Sequence, residues 1–300
     1  VETFIGGLAN RALDRWVGLL PGLAFVLAAW VGSVLGWAHA LDPGLLTASA
    51  TKATATWGTL PALAQAVGVL CVLAAAGAVG LLVRSLRRPV CAWWLGTWPV
   101  RLRQVAQRRT ARRRTWWNEL VRERQEREKQ PPKDRTPADQ AAIDALAHQI
   151  ITVAMAEPTR PTWMGDRVAA VDSIGYNRYG LDLRFGWSRL WFVLPDTVRT
   201  EIAAADARFA NTVVTAAWAL PYLVLGLWWW PALLIAGGTA VAGWTRARTA
   251  IADLTELSEA ALDLHGRTLA ISLGVAAPDS AGPLAKTEGQ EITRLVRKGR

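Results

Sequence analysis

The sequence predicts an all-α integral membrane protein: two transmembrane helical hairpins, four spans in all, with a helical cytoplasmic region between and after them. Three observations carry that prediction. First, residues 209–245 contain no Asp, Glu, Lys or Arg, are bounded by Arg208 and Arg246, and pivot on Trp228-Trp229-Trp230-Pro231. As one helix they would measure about 55 Å against a bilayer core of roughly 30 Å, so they read as two crossings that return both arginines to one side. Second, 52% of residues are hydrophobic, and there are 17 Trp against 3 Tyr and 5 Phe. Indole suits the membrane–water boundary, where the ring is buried and the N–H stays wet. Third, the net charge of +10 is concentrated. Residues 84–135 hold 16 Lys or Arg and 5 Asp or Glu, a net +11, and the remaining residues together carry −1.

Residues 1–15 read as a cytoplasmic amphipathic helix, with Ile5, Leu8, Ala12 and Trp16 at helical spacing and Arg11, Asp14 and Arg15 between them. The first hairpin covers 16–83. Its first span, 16–38, is charge-free; a signal peptide ending at Ala38-His39-Ala40 is the competing reading, but the run is too long for an ordinary h-region and acids precede it. A polar loop follows, rich in Thr and Ala and charged only at Asp42 and Lys52, and 53–83 is the second span. The cluster Arg84, Arg87 and Arg88 then places that end, and the N-terminus, in the cytoplasm by the positive-inside rule.

Residues 84–135 form a basic, Trp-containing juxtamembrane helix and linker. Residues 91–98 are too short to span and read as an interfacial segment carrying Trp93, Trp94 and Trp98. The helix after them sets Arg108, Arg109, Arg112, Arg113 and Arg114 beside Trp116 and Trp117, a combination suited to anionic headgroups. Arg108, Arg109, Arg112, Arg113, Arg114, Trp116, Trp117, Trp93 and Trp94 are therefore the candidate lipid contacts; a purely solvated charged helix and a nucleic-acid site are the alternatives. No zinc-finger, helix-turn-helix or RNP-type pattern supports nucleic acid. Glu123 with Arg127 and Arg124 with Glu128 are i,i+4 pairs that favour an exposed helix.

A cytoplasmic helical module spans 136–208. Thr136-Pro137-Ala138-Asp139 reads as N-cap, N1 proline and N3 acid, and Ile143, Leu146, Ile150 and Val153 make a narrow seam for one partner helix, from this chain or another subunit. The second hairpin covers 209–245, with Pro221 placed to kink it. In the cytoplasmic helix 246–275, Ile251, Leu254, Leu257, Ala261 and Leu264 form a stripe that needs a neighbour, from the 143–153 seam or the 197–207 helix. Residues 276–300, rich in Pro, Gly and charge, read as a flexible basic tail with at most a short helix.

Residues 158–195 combine Pro158-Thr159-Arg160-Pro161 and Gly165, then Arg178-Tyr179-Gly180-Leu181-Asp182, then Trp187-Ser188-Arg189-Leu190-Trp191 and Leu194-Pro195. Over 158–274 the chain resembles a group of bacterial multi-pass membrane proteins, high-GC and actinobacterial-like, that share a PTR…G opening, an RYGLD core and a WxRLW…LP close. Trp163-Met164 replaces an aliphatic position of that pattern, and Phe185-Gly186 precedes Trp187 in place of branched residues. The resemblance implies a membrane location and no particular activity. The predominance of Arg over Lys agrees with high-GC coding, and the initial Val reads as a GUG start codon translated literally. Arg178, Tyr179, Asp182, Arg189 and Trp191 are the candidate cytoplasmic interaction residues, with a structural ion pair from Asp182 to Arg178 or Arg184 as the plainer reading of that cluster.

No nucleophile–base set, Walker A loop, G-x-G-x-x-G fingerprint, HExxH or CxxC motif is present, so no catalysis, cofactor or metal is expected. The two cysteines, Cys71 and Cys91, fall in different segments and predict no disulfide; Cys91 is a juxtamembrane thiol open to lipidation, or simply a buried one. None of the four spans contains an ionisable residue, which argues against a transporter or an intramembrane protease. Small-residue spacings (Gly18/Gly22, Gly32/Gly36, Ala76/Gly80) allow close helix packing or self-association. The expected partners are anionic lipid and a protein partner or second copy, not nucleic acid. The expected function is a non-enzymatic inner-membrane protein whose basic helices lie on lipid; a homo-oligomeric channel or membrane-permeabilising effector is the alternative.

Overall fold

Charge-free runs and Pro punctuation decide where the helices begin and end. The structure, a computed structural model, describes residues 2–297, with side chains from Leu19 onward. Its helices are α1 (Glu2–Leu35), α2 (Pro43–Thr59), α3 (Ala62–Ser85), α4 (Arg87–Trp94), α5 (Arg103–Glu128), α6 (Pro137–Val153), α7 (Trp163–Tyr179), α8 (Leu183–Val193), α9 (Asp196–Ala217), α10 (Ala219–Leu225), α11 (Pro231–Ser272) and α12 (Lys286–Arg297). Among the described residues there is no strand. The chain divides into two compact units, residues 1–90 with 211–246 and residues 91–210 with 247–300. The side chains of the predicted amphipathic segment 1–15 lie outside those described.

In the first unit α1 packs on α3. A side chain at Gly22 would collide with the carbonyl of Ala76, itself 1% exposed, so the small-residue spacing is used for close approach. The predicted loop after the first apolar run is instead a helix, α2. Asp42 caps it, accepting from the N–H groups of Gly44 and Leu45 at 2.9 and 3.1 Å. Its threonines are poor helix formers, but Thr47, Thr51, Thr54, Thr56 and Thr59 donate their hydroxyls to carbonyls one turn back. The second apolar helix begins at Ala62, not at residue 53. Pro61 has no N–H to donate and holds Leu60 extended (ψ 146°), which closes α2 and opens α3.

Residues Ala62–Trp94 are, among the described residues, the one helical stretch long and apolar enough to cross a membrane; Leu19–Leu35 is a shorter apolar helix. The most apolar 18 residues of Ala62–Trp94 have a mean hydropathy of 2.6, and only 11% of them are buried. Leu63, Leu70 and Leu81 are each about two-thirds exposed or more. The 209–245 segment is broken once more than the sequence suggests. Pro221 cannot donate to the carbonyl of Ala217, so α9 stops there and α10 resumes at Ala219. The chain reverses at 226–230 and α11 starts at Pro231, as the Trp-Pro pattern predicts. Phe25 meets Tyr222 edge-on at 5.3 Å and Trp218 at 6.4 Å, beside fully buried Val83 and Ala217. The indole of Trp229 donates to the Ala40 carbonyl at 3.0 Å.

In the second unit Thr136 and Asp139 form the reciprocal capping box read from the sequence, and the α6 seam of Ile143, Leu146, Ile150 and Val153 is buried. Its partner is the basic helix α5 of the same chain. A larger core gathers Leu181, Leu190, Leu194, Ile202, Leu262 and Ile292. Within it, α11 finds the predicted neighbour at the start of α9, through Ile202. Ile251 and Ala261 of its stripe are buried, whereas Leu264 is 75% exposed and lies off it.

Within the segment read as a flexible tail with a short helix, residues 286–297 form α12, which packs on α7 and α8. Ile292 is fully buried, and Thr293 accepts from the Asp182 N–H and donates to the Gly180 carbonyl, both at 2.9 Å. Gly180 ends α7 in the left-handed region (φ 67°), where a side chain would also strike the backbone of α12.

Candidate functional site: a basic helix face bordered by tryptophan

The α5 helix has two unlike sides. Ala106, Thr110, Arg113, Trp117 and Leu120 recur every three or four residues and are at least half-buried or intermediate, as a face covered by α6 requires. On a second stripe of α5 Val105, Arg108, Arg112 and Trp116 are exposed, with Arg109 beside them and exposed Arg101 just before the helix. The 3.6-residue period therefore splits a run of consecutive arginines between two tasks.

Arg113 belongs to the inner side. Its Nε and Nη2 donate to Asp166 Oδ2 at 3.1 and 2.7 Å, and Nη2 also donates to the Val153 carbonyl at 2.9 Å. Asp166, 4% exposed, completes its shell with the N–H groups of Thr159 and Arg160 at 2.7 and 2.6 Å. Arg114 pairs with Glu157 at 2.9 Å, and the indole of Trp117 donates to the Ala154 carbonyl at 3.1 Å. Trp94 is 8% exposed, and its carbonyl accepts from the Thr162 hydroxyl at 2.6 Å. Arg113, Trp117 and Trp94, expected to contact lipid, are instead turned inward, the first two satisfied by protein carbonyls and a carboxylate and the third buried, while Arg114 stays exposed beside Glu157.

The outward residues make a continuous basic and aromatic surface. Trp93, half exposed, stacks on Trp98 with centroids 4.6 Å apart and planes within 13°, and Trp98 donates to the Trp93 carbonyl at 2.9 Å. The guanidinium of Arg109 lies 6.0 Å from the Trp98 centroid. Next to this pair a cleft of about 740 Å³ is lined by Trp98, Arg103, Gln107, Arg114 and Arg160. Such a surface offers guanidinium donors to phosphate oxygens and indole rings to an interfacial layer. Val105, not expected among these contacts, is found by the helical period of α5, which selects one stripe from its arginines; Arg101 and Trp98 lie just before the helix.

The second predicted cluster is built differently from the expectation. Tyr179 is buried and donates its hydroxyl to Asp263 Oδ1 at 2.6 Å. Burial, then the hydrogen bond to Asp263, push its phenol up to about 12. Arg178 is exposed and stacks over the Tyr179 ring at 5.1 Å. Asp182 caps α8 and pairs with Arg297 of α12 at 2.6 Å, not with Arg178 or Arg184. Arg189 donates to the Phe185 carbonyl and the Ser188 hydroxyl, and Trp191 packs on the core. Tyr179, Asp182 and Trp191 thus make contacts that hold the unit together, whereas Arg178 is exposed. Burial also raises the carboxyl of Glu259, against the opposing charge of Arg167. Among the described residues no group of three or more His, Cys, Asp or Glu is placed to hold a metal ion.

Comparison of the chain with family models, with curated proteins and with solved structures found no match.

Proposed function

We propose that the chain is a non-enzymatic inner-membrane protein that crosses the bilayer four times, with both termini cytoplasmic. The outer face of α5 rests on anionic lipid, and the cytoplasmic helices bind or organise a protein partner or a second copy. The observation that carries the reading is the uncovered apolar surface of α3, a helix long enough to span, which ends beside Arg84 and is followed by Arg87 and Arg88 of α4. Soluble monomers rarely expose contiguous apolar surface on that scale. The exposed leucines, valines and tryptophans of the second hairpin, among them Leu227, Trp228, Leu234 and Val241, support the remaining crossings. Membership of the multi-pass group that residues 158–274 resemble is part of the same proposal.

The test is twofold. Sodium carbonate washing is expected to leave the protein in the membrane fraction; release into the wash overturns the spans. With full-length protein reconstituted in nanodiscs, Arg108→Ala/Arg109→Ala/Arg112→Ala is expected to expose Trp93 and Trp116 to an aqueous quencher in anionic bilayers, as they already are in neutral ones. Unchanged quenching in the triple variant overturns the lipid-facing assignment of α5.

A further inference from the structure

We infer that the first unit holds one anionic glycerophospholipid as a bound ligand, in a groove of about 910 Å³ among α1, α3, the start of α4, α9, α10 and α11. The inference rests on the membrane reading above and goes beyond it, from a surface lying on bulk lipid to a stoichiometric site.

The lining changes character along its length. It passes from Gly80 and Arg84 of α3 to Arg87 at the start of α4, and from Trp218, between α9 and α10, back to Asn211 of α9. Elsewhere it is largely apolar, with Ile235 of α11 among its walls. The volume lies within the roughly 300–1,000 Å³ of pockets that enclose a small ligand. Residues 43–90 and 211–246, which supply most of the lining, contain no Asp or Glu. Arg84 and Arg87 are exposed, and neither makes an ion pair among the described residues. Two guanidinium groups that make no ion pair among the described residues, with the Asn211 amide in the same lining, provide donors for a phosphate. The apolar remainder suits an acyl chain, and a free phosphate would leave it empty. A neutral or zwitterionic lipid would fill the apolar part while leaving the two charges uncompensated.

Native mass spectrometry of the full chain, purified in a neutral detergent, reads the site directly. With phosphatidylglycerol titrated in, one lipid adduct is expected to saturate first, about tenfold or more tighter than phosphatidylcholine. Arg84→Gln/Arg87→Gln is expected to remove that preference, and millimolar inorganic phosphate is expected not to displace the lipid. Thr239→Trp, which narrows the groove and keeps both arginines, is expected to lose the adduct as well. Equal retention of the two lipids, or an adduct unchanged in both variants, overturns the site; displacement by phosphate alone assigns a small-anion site and overturns the amphiphile. A protein that stays in carbonate-washed membranes yet retains no lipid sinks this inference alone, whereas a protein released by the wash sinks the membrane reading beneath it.

Discussion

The guanidinium of Arg113 grips the carboxylate of Asp166 at 2.7 Å across 53 residues of chain, and the two backbone N–H groups of Thr159 and Arg160 close the same carboxylate from the other side. Basic helix and Pro158–Gly165 segment are thereby joined at a buried charge.

Removing one partner leaves the other charge buried without compensation. Arg113→Ala is therefore expected to destabilise the protein by about 3–5 kcal/mol, while Arg112→Ala, one position away on the exposed face, changes stability by less than about 0.5 kcal/mol. Thermal unfolding of the full chain in detergent distinguishes them. Equal shifts for the two variants would place Asp166 outside the structural role given to it.

Thr293 serves two backbone groups of the Gly180–Asp182 turn at once. Thr293→Val keeps the shape but strands a buried N–H and a buried C=O, at about 1–3 kcal/mol for each unsatisfied group. Amide hydrogen exchange should then speed up around 180–182 and 286–297 together. Acceleration in α12 alone would mean that the turn does not depend on that helix.

Tyr179 gives a pH dependence of definite sign. Its folded phenol titrates near 12 against an ordinary 10, so its neutral form is the one the fold favours. The associated stability is complete below about pH 10 and is lost as pH rises towards 12. Tyr179→Phe, which cannot ionise, should flatten the decline of stability over that window. An unchanged slope would assign the alkaline loss to other groups.

Gly22 leaves no room for a side chain against the Ala76 carbonyl. Gly22→Val is expected to cost about 1–3 kcal/mol by forcing α1 away from α3, whereas Gly58→Ala, with open space around it, is expected to be neutral or stabilising. Detergent-solubilised melting curves decide this, and a neutral Gly22→Val would remove the tight crossing.

Local chemistry was legible in the sequence. The Thr136–Asp139 capping box, the reversal before Pro231 and the Glu123–Arg127 and Arg124–Glu128 pairs all appear where the spacing puts them, because each is settled within one or two turns of chain. Even the role of α6 as half of a helix pair was readable from its seam. The polar α2 was not, since its helix depends on hydroxyl-to-carbonyl bonds that residue type alone does not announce.

The amino-acid sequence by itself determined that this protein is helical, that its apolar runs carry no charge, and that its excess positive charge lies in one stretch. The tertiary structure alone decided which of those arginines look outward. Arg112 and Arg113 are chemically identical neighbours turned about 100° apart on α5, and only the presence of Asp166 and the Val153 carbonyl on one side makes the second a structural residue. The same holds for the tail: α12 has few apolar residues, and its order comes from a turn more than a hundred positions earlier that offers Thr293 its backbone partners. Periodicity along the chain places side chains on faces; what each face meets is set by partners that the local pattern cannot specify.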